Sequence, residues 1–124
     1  MGSGPGRQTS HEKGRRAEAL CRWFLRAKGY RILARNFRTS GGEIDIIARR
    51  GKTLVFVEVK ARRERGAAGE SLSQRQQKRI MSAAKAFIAY HPNWAEGGVR
   101  FDALLLAPWR LPLHIQDAWR ENWY

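Results

Sequence analysis

Cysteine and long apolar runs are what this 124-residue sequence has least of. Its one cysteine, Cys21, excludes an intramolecular disulfide and a zinc site built from cysteines, and a lone thiol suits a reducing compartment. No apolar run approaches the roughly 18 residues that a membrane-spanning helix needs. No apolar stretch follows the first basic residues, as it does in a secretory signal. We therefore expect a cytoplasmic protein that does not cross a membrane.

Acidic residues are also scarce. The chain has 11 Asp and Glu against 24 Lys and Arg, which gives a net charge of +13 and a pI near 11.2. This excess of positive charge predicts a polyanionic partner, and nucleic acid, DNA in particular, is the first candidate. An anionic membrane surface is the alternative, because a basic amphipathic helix can bind either. Charge gives affinity for phosphate and specifies no chemistry.

The chain reads as one domain preceded by an arm. Gly- and Ser-rich residues 1–12 predict a flexible N-terminal arm, and 13–124 a single domain. The spacing of apolar residues predicts the order α-β-β-β-α-β-β, an α/β fold with helices on both faces of a central mixed sheet. The helices are predicted at 13–28 and from an N-cap at Ser73, with Gln76 as its capping-box partner, to residue 90. The strands are predicted at 30–37, 43–48, 53–60, 99–106 and 113–117.

Charged side chains interrupt the second and third predicted strands, which are otherwise apolar. Glu43 and Asp45 lie on the second strand, and Glu58 and Lys60 on the third. Buried carboxylates that lie close together need a metal, a proton or a lysine to offset their lost hydration. Carboxylate oxygens suit Mg²⁺ or Mn²⁺, and a neighbouring lysine can position a water or stabilise charge on a phosphate. The pattern predicts phosphodiester hydrolysis; the alternative is a structural ion pair at a solvated sheet edge.

The hairpin between these strands decides whether the acids meet. Alternation of side chains predicts Ile44 and Ile46 together on one face of their strand. A two-residue turn at 50–51 pairs Asp45 with Phe56 and makes Asp45 a diagonal neighbour of Glu58, about 7–8 Å away. A register slip of one residue would move Asp45 to the other face and abolish the site.

Two segments, 42–48 (GEIDIIA) and 55–62 (VFVEVKAR), resemble the motif of the YraN-like uncharacterised proteins of bacteria. Those proteins are similar to archaeal Holliday junction resolvases within the restriction-endonuclease-like PD-(D/E)xK nuclease superfamily. Supporting likenesses at 14–18, 29–30, 36–38 and 100–102 extend the resemblance over about residues 13–119. The resemblance implies a restriction-endonuclease-like fold and, from the resolvases, a homodimer.

The same resemblance implies roles by position. Asp45 and Glu58 would be the metal-binding pair for Mg²⁺ or Mn²⁺, with the Val59 carbonyl as a third ligand. Lys60 would be the catalytic lysine. Glu18, on the first helix, matches a glutamate that points toward the site in resolvase-like members.

Several basic and polar residues are expected to contact the phosphates of nucleic acid. They are Arg15, Arg16, Arg38, Arg62, Arg63, Arg65 and Gln76, with Arg22 and Arg26 on the first helix beside them. Such contacts position a substrate without reading its sequence, and the alternative is an ordinary solvated basic face. Gln76 stands where the family commonly has a lysine, which puts one phosphate contact in doubt. Asp102, inside an apolar strand, either supports the site or forms structural hydrogen bonds.

The pattern and the resemblance together predict a metal-dependent endonuclease that hydrolyses DNA phosphodiester bonds, with branched or single-stranded DNA as candidate substrates. The first alternative is a nucleic-acid-binding module of the same fold that does not cut. The second is an interaction protein in which the carboxylates form only a structural ion network.

Overall fold

A computed structural model describes residues 10–61, 73–107 and 110–119, without the side chains of 10–15 and 61. Its helices and strands are α1 (Ser10–Ala27), β1 (Arg31–Thr39), β2 (Gly42–Arg50), β3 (Thr53–Ala61), α2 (Gln74–Tyr90), β4 (Val99–Leu106) and β5 (Leu113–Ile115). The predicted order of elements is confirmed, and a 3₁₀ turn at Pro92–Ala95 is added to it. Neither described helix is long and apolar enough to cross a membrane.

The strands form a five-stranded mixed sheet in the order β1-β2-β3-β4-β5. The three hairpin pairs are antiparallel, and β3 and β4 are parallel because α2 carries the chain back between them. The two acid-bearing strands are therefore interior strands, which agrees with their apolar side chains on both faces.

Each face of the sheet is covered by one helix, as predicted. On one face Cys21 and Leu25 of α1 pack with Val55, Val57 and other buried strand residues. On the other face the buried side of α2 packs on a second set of strand residues. That second core contains Ile80, Met81, Ala83, Ala84, Phe87, Ile44, Ile47, Leu54, Phe56 and Phe101.

Some element boundaries differ from the prediction. Helix α1 begins at Ser10, so it includes 10–12 of the predicted arm; residues 1–9 of that arm lie outside the described residues. The cap of α2 is confirmed, since the Ser73 hydroxyl accepts a hydrogen bond from the Gln76 amide at 3.1 Å. Strand β5 ends two residues early because the chain turns at Asp117, whose amide donates to the Asp102 carboxylate.

The predicted register of the β2–β3 hairpin is wrong by two residues. The turn is formed by Gly51 and Lys52, and Phe56 pairs with Ile47 rather than with Asp45. Gly51 has φ +61, a conformation that glycine adopts without strain, so it takes the first turn position. A register shift of two residues does not by itself move a side chain to the other face of the sheet. Extending the observed register by one position brings Asp45 level with Glu58 instead of diagonal to it.

Side-chain alternation is interrupted in β2 at Asp45. Ile44 packs in the core under α2, whereas Ile46 packs in the core under α1, so the prediction that they share a face is wrong. On the neighbouring strand Asn36 has a φ of +51, and no pairing of Asn36 with Asp45 is recorded. At this irregularity the Asp45 carboxylate bonds the backbone of β3 through the Val59 amide.

Candidate functional site

The half-buried Asp45 and the buried Glu58 meet where the β2–β3 ladder stops. The recorded pairing begins at Ile46 and Val57, and one position beyond it the Asp45 carboxylate accepts a hydrogen bond from the Val59 amide at 2.8 Å. Glu58 is 8% exposed and hydrogen-bonds to Asp45. The structure thus brings together the two predicted metal ligands and places the Val59 main chain beside them.

Burial and mutual repulsion hold a proton in this pair. Burial is the main cause that raises the pKa of Glu58 to about 8, and the Asp45 charge adds to it. Burial also raises the pKa of Asp45, although its bond from the Val59 amide opposes the rise. Both pKa values are thus raised, so the pair retains a proton to higher pH than exposed carboxyl groups do. A bound proton or a cation would balance the charge of the two neighbouring carboxylates.

Gln76 fixes the orientation of Glu58. Its side-chain amide donates to a Glu58 carboxyl oxygen at 2.7 Å, because the first turn of α2 lies over the end of β3. The predicted capping box is therefore only half present: the Ser73 cap forms, and the Gln76 side chain binds Glu58. Gln76 was expected to contact nucleic acid, and the structure gives it a protein partner in the site.

Three more charged residues act on the pair electrostatically. The Lys60 ammonium lowers the pKa of Glu58 against the larger effect of burial, and Glu18 on α1 adds to the raised pKa of Asp45. Glu43 is exposed and pairs with Arg38 at 3.3 Å. Within the described residues, no group of three or more His, Cys, Asp or Glu side chains is close enough to hold a metal ion. The protein donors available to a cation are thus the two carboxylates and nearby backbone oxygens.

The predicted phosphate contacts fall in different places. Arg16 is exposed on α1, and Arg38 is exposed but paired with Glu43. Arg15 lies in α1, with its side chain outside the described part. Arg62, Arg63 and Arg65 lie outside the described residues altogether.

The protonated pair predicts a pH dependence of stability. The folded protein holds a proton on Glu58 up to about pH 8, whereas the unfolded chain releases it above about 4.5, so folding takes up a proton between these values. The free energy of unfolding should therefore fall as pH rises across that window, and Glu58→Gln should reduce the fall by a few kcal/mol. Urea denaturation at several pH values measures this. The control is Glu96→Gln, an exposed acid, which should keep the wild-type slope; an equal slope in Glu58→Gln would contradict the account.

A second polar cluster, centred on the fully buried Asp102, is separate from the carboxylate pair. Arg100 donates to both Asp102 oxygens at 2.8 Å, and His114 lies 2.8 Å from one of them. The Asp117 amide donates to the other at 2.9 Å. Burial would raise the pKa of Asp102, but the hydrogen bonds from His114 and Arg100 outweigh it and lower that pKa. Of the two roles considered for Asp102, its recorded bonds match the structural one.

Lys28 extends this cluster towards the surface. Its ammonium lies 2.6 Å from His114 Nδ1, which places the imidazole proton on Nε2, facing Asp102. Arg100 also donates to the Tyr30 hydroxyl at 2.6 Å. Sequence analysis missed the cluster, because Lys28 and His114 are 86 positions apart and neither lies in a recognisable motif.

Comparison with known proteins gives one family. The model of the uncharacterised protein family UPF0102 matches residues 17–106. The chain is 50% identical over 117 residues to the UPF0102 protein amb4503 of Paramagnetospirillum magneticum, covering 91% of each chain. It is 50% identical over 112 residues to a UPF0102 protein of Nitrobacter winogradskyi, covering 90% of this chain and 95% of that one. A relative from Parvibaculum lavamentivorans is 48% identical over 111 residues, with 90% and 84% covered. The matched range includes both strands that carry the carboxylate pair.

Proposed function

The chain belongs to the uncharacterised protein family UPF0102, which confirms the YraN-like resemblance, and we propose that it is a metal-dependent endonuclease that hydrolyses DNA. The observation that carries this proposal is the hydrogen-bonded pair of Asp45 and Glu58 in the interior of the sheet. Acids in such a position are costly unless a cation or a proton balances them. The proposal includes a restriction-endonuclease-like fold, supported by the mixed sheet with acids on β2 and β3 and a helix on each face.

The donor set fits a small divalent cation. Mg²⁺ is commonly held by one or two carboxylates and keeps several of its waters, so two acids suffice. The raised pKa values show that the pair favours a compensating positive charge, which either a proton or a cation can supply. Asp45, Glu58 and the Val59 carbonyl would hold the ion. When bound, the ion supplies Lewis-acid polarisation of the scissile phosphate and lowers the pKa of a bound water.

The protein residues around the pair have distinct tasks in this proposal. Gln76 keeps the Glu58 carboxylate in position through its hydrogen bond. Lys60 shares a strand face with Glu58 and acts on it electrostatically; it orients the attacking water and stabilises charge that develops on the phosphate. The overall charge of +13 draws the DNA to the protein.

Replacement of Lys60 is the most direct test of the catalytic part of the proposal. Lys60→Ala should lower metal-dependent cutting by about 10²–10³-fold, the usual cost of losing one group that stabilises the transition state. The assay uses Mg²⁺ or Mn²⁺ with duplex, single-stranded and four-way-junction DNA, and Lys52→Ala, an exposed turn lysine, is the matched control.

The outcomes of this assay separate the candidate functions. Equal residual cutting in Lys60→Ala would point to a contaminating nuclease and contradict the proposal. Salt-sensitive DNA binding without cutting by the wild-type protein would favour the non-catalytic binding module. Absence of salt-sensitive binding would favour an interaction protein with a structural ion network.

A further inference from the structure

An open groove of about 340 Å³ runs between α1 and the edge strand β1. Its lining residues are Arg22, Arg26, Ile32, Leu33, Ala34 and Arg35. Three arginines thus line one concave surface, two from the helix and one from the strand. In the part of the chain that the structure describes, no carboxylate contributes to the lining.

The three arginines form no ion pair within the described residues, although Glu18 lies one helical turn before Arg22. Among the described residues, the recorded ion pairs of arginine involve only Arg38 and Arg100, and none involves the three arginines of the groove. Arg22 and Arg26 are four residues apart on one side of α1, where like charges repel each other. An anion that lies in the groove would relieve this repulsion and would accept forked hydrogen bonds from the guanidinium groups.

Both walls of the groove are linked to the neighbourhood of Asp45, one acid of the carboxylate pair. Arg22 lies one helical turn after Glu18, whose charge acts on Asp45. On the strand side, Arg35 pairs with Ile46, the residue next to Asp45. Arg26 lies one turn farther along α1. A chain of phosphates that leaves the carboxylate pair would therefore meet Arg22 and Arg35 first and Arg26 next.

We propose that this groove binds the sugar-phosphate backbone of a single DNA strand that leads away from the carboxylate pair. The proposal rests on the proposed function, which supplies DNA as the substrate class. It adds that this substrate has a single-stranded segment next to the bond that is cut. The volume is at the lower end of the range for small-molecule pockets, which is enough for a short length of one backbone.

An acidic peptide that adds a strand to the β1 edge is the competing occupant. The pairing of β1 with β2 shifts register between Ile32 and Ala34, inside the groove. Such a bulge twists the edge and interrupts the regular row of backbone groups that an added strand needs. Phosphate needs no such row, because the arginine side chains supply the contacts.

Salt dependence of binding tests the groove without any cutting. The probe is a fluorescent oligothymidylate of about 16 nucleotides, a typical upper site size for one single-strand-binding fold, titrated in EDTA at several salt concentrations. Arg22→Gln/Arg26→Gln/Arg35→Gln should weaken binding and reduce the slope of log K against log salt by about 2, since each lost phosphate contact contributes about 0.7. The control is Lys52→Gln/Lys85→Gln/Arg110→Gln, which removes three exposed charges elsewhere.

The two proposals fail separately in this design. If the salt slope of the triple variant equals that of the control, the groove proposal is overturned, even if the wild-type protein cuts DNA. If the triple variant has a reduced slope but the wild-type protein never cuts DNA, the groove proposal is supported and the hydrolytic function is overturned. Loss of binding to polyglutamate, with the DNA slope unchanged, would favour the peptide and overturn the proposal. If the triple variant does not fold, Arg26→Gln/Arg35→Gln changes two exposed side chains and should reduce the slope by about 1.4.

Discussion

Asp45→Asn should lower metal-dependent DNA cutting by about 10³-fold and leave DNA binding in EDTA unchanged. Asparagine retains an oxygen that can accept the hydrogen bond from the Val59 amide, so the end of the β2–β3 ladder is preserved. It lacks the negative charge that a divalent ion requires. Lewis-acid stabilisation is worth several kcal/mol, and each 1.36 kcal/mol changes the rate tenfold.

Glu43→Gln is the matched control for this variant. Glu43 lies two residues before Asp45 on the same strand, but its side chain is 53% exposed and pairs with Arg38. Its loss changes the local charge equally and leaves the pair of Asp45 and Glu58 intact, so cutting should persist. Similar losses in both variants would show that the general negative field, and not the pair, matters.

Asp102→Asn should destabilise the protein by about 3–5 kcal/mol, the usual cost of removing one partner of a buried ion pair. The Asp102 side chain has no exposed surface and accepts bonds from Arg100, His114 and the Asp117 amide. An amide would turn a donor toward groups that themselves donate. Urea denaturation gives the free energy of unfolding directly.

An exposed ion pair provides the control for the Asp102→Asn prediction. Glu43→Gln breaks the Arg38–Glu43 pair, whose two side chains are 76% and 53% exposed. Exposed pairs of this kind contribute about 0–1 kcal/mol. If Asp102→Asn cost no more than Glu43→Gln, the cluster would not be the structural anchor that its burial indicates.

Periodicity in the sequence was enough to predict the order of elements and the meeting of the two acids. The meeting of the two acids could be predicted because the hairpin register was wrong by two residues rather than one. An even shift does not by itself exchange the two faces of a strand. The cap at Ser73 was predictable because capping is local and depends on a hydroxyl three residues before the bonded amide.

Sequence analysis missed features that depend on contacts between distant residues or on irregular backbone conformation. The break in alternation at Asp45 accompanies a positive φ at Asn36, which no apolar pattern reveals. The bond from Gln76 to Glu58 joins residues 18 positions apart, and its prediction required the packing of α2 on β3. Arg35 joins the helix arginines only through the placement of α1 beside β1.

The most direct test of the central claim is a crystal of the protein soaked with Mn²⁺ and measured at the manganese absorption edge. The account predicts an anomalous peak between the carboxylates of Asp45 and Glu58, and its absence from a crystal of Asp45→Asn treated identically. A wild-type crystal in which the two carboxyl groups keep their mutual hydrogen bond, with no anomalous peak beside them, would contradict it.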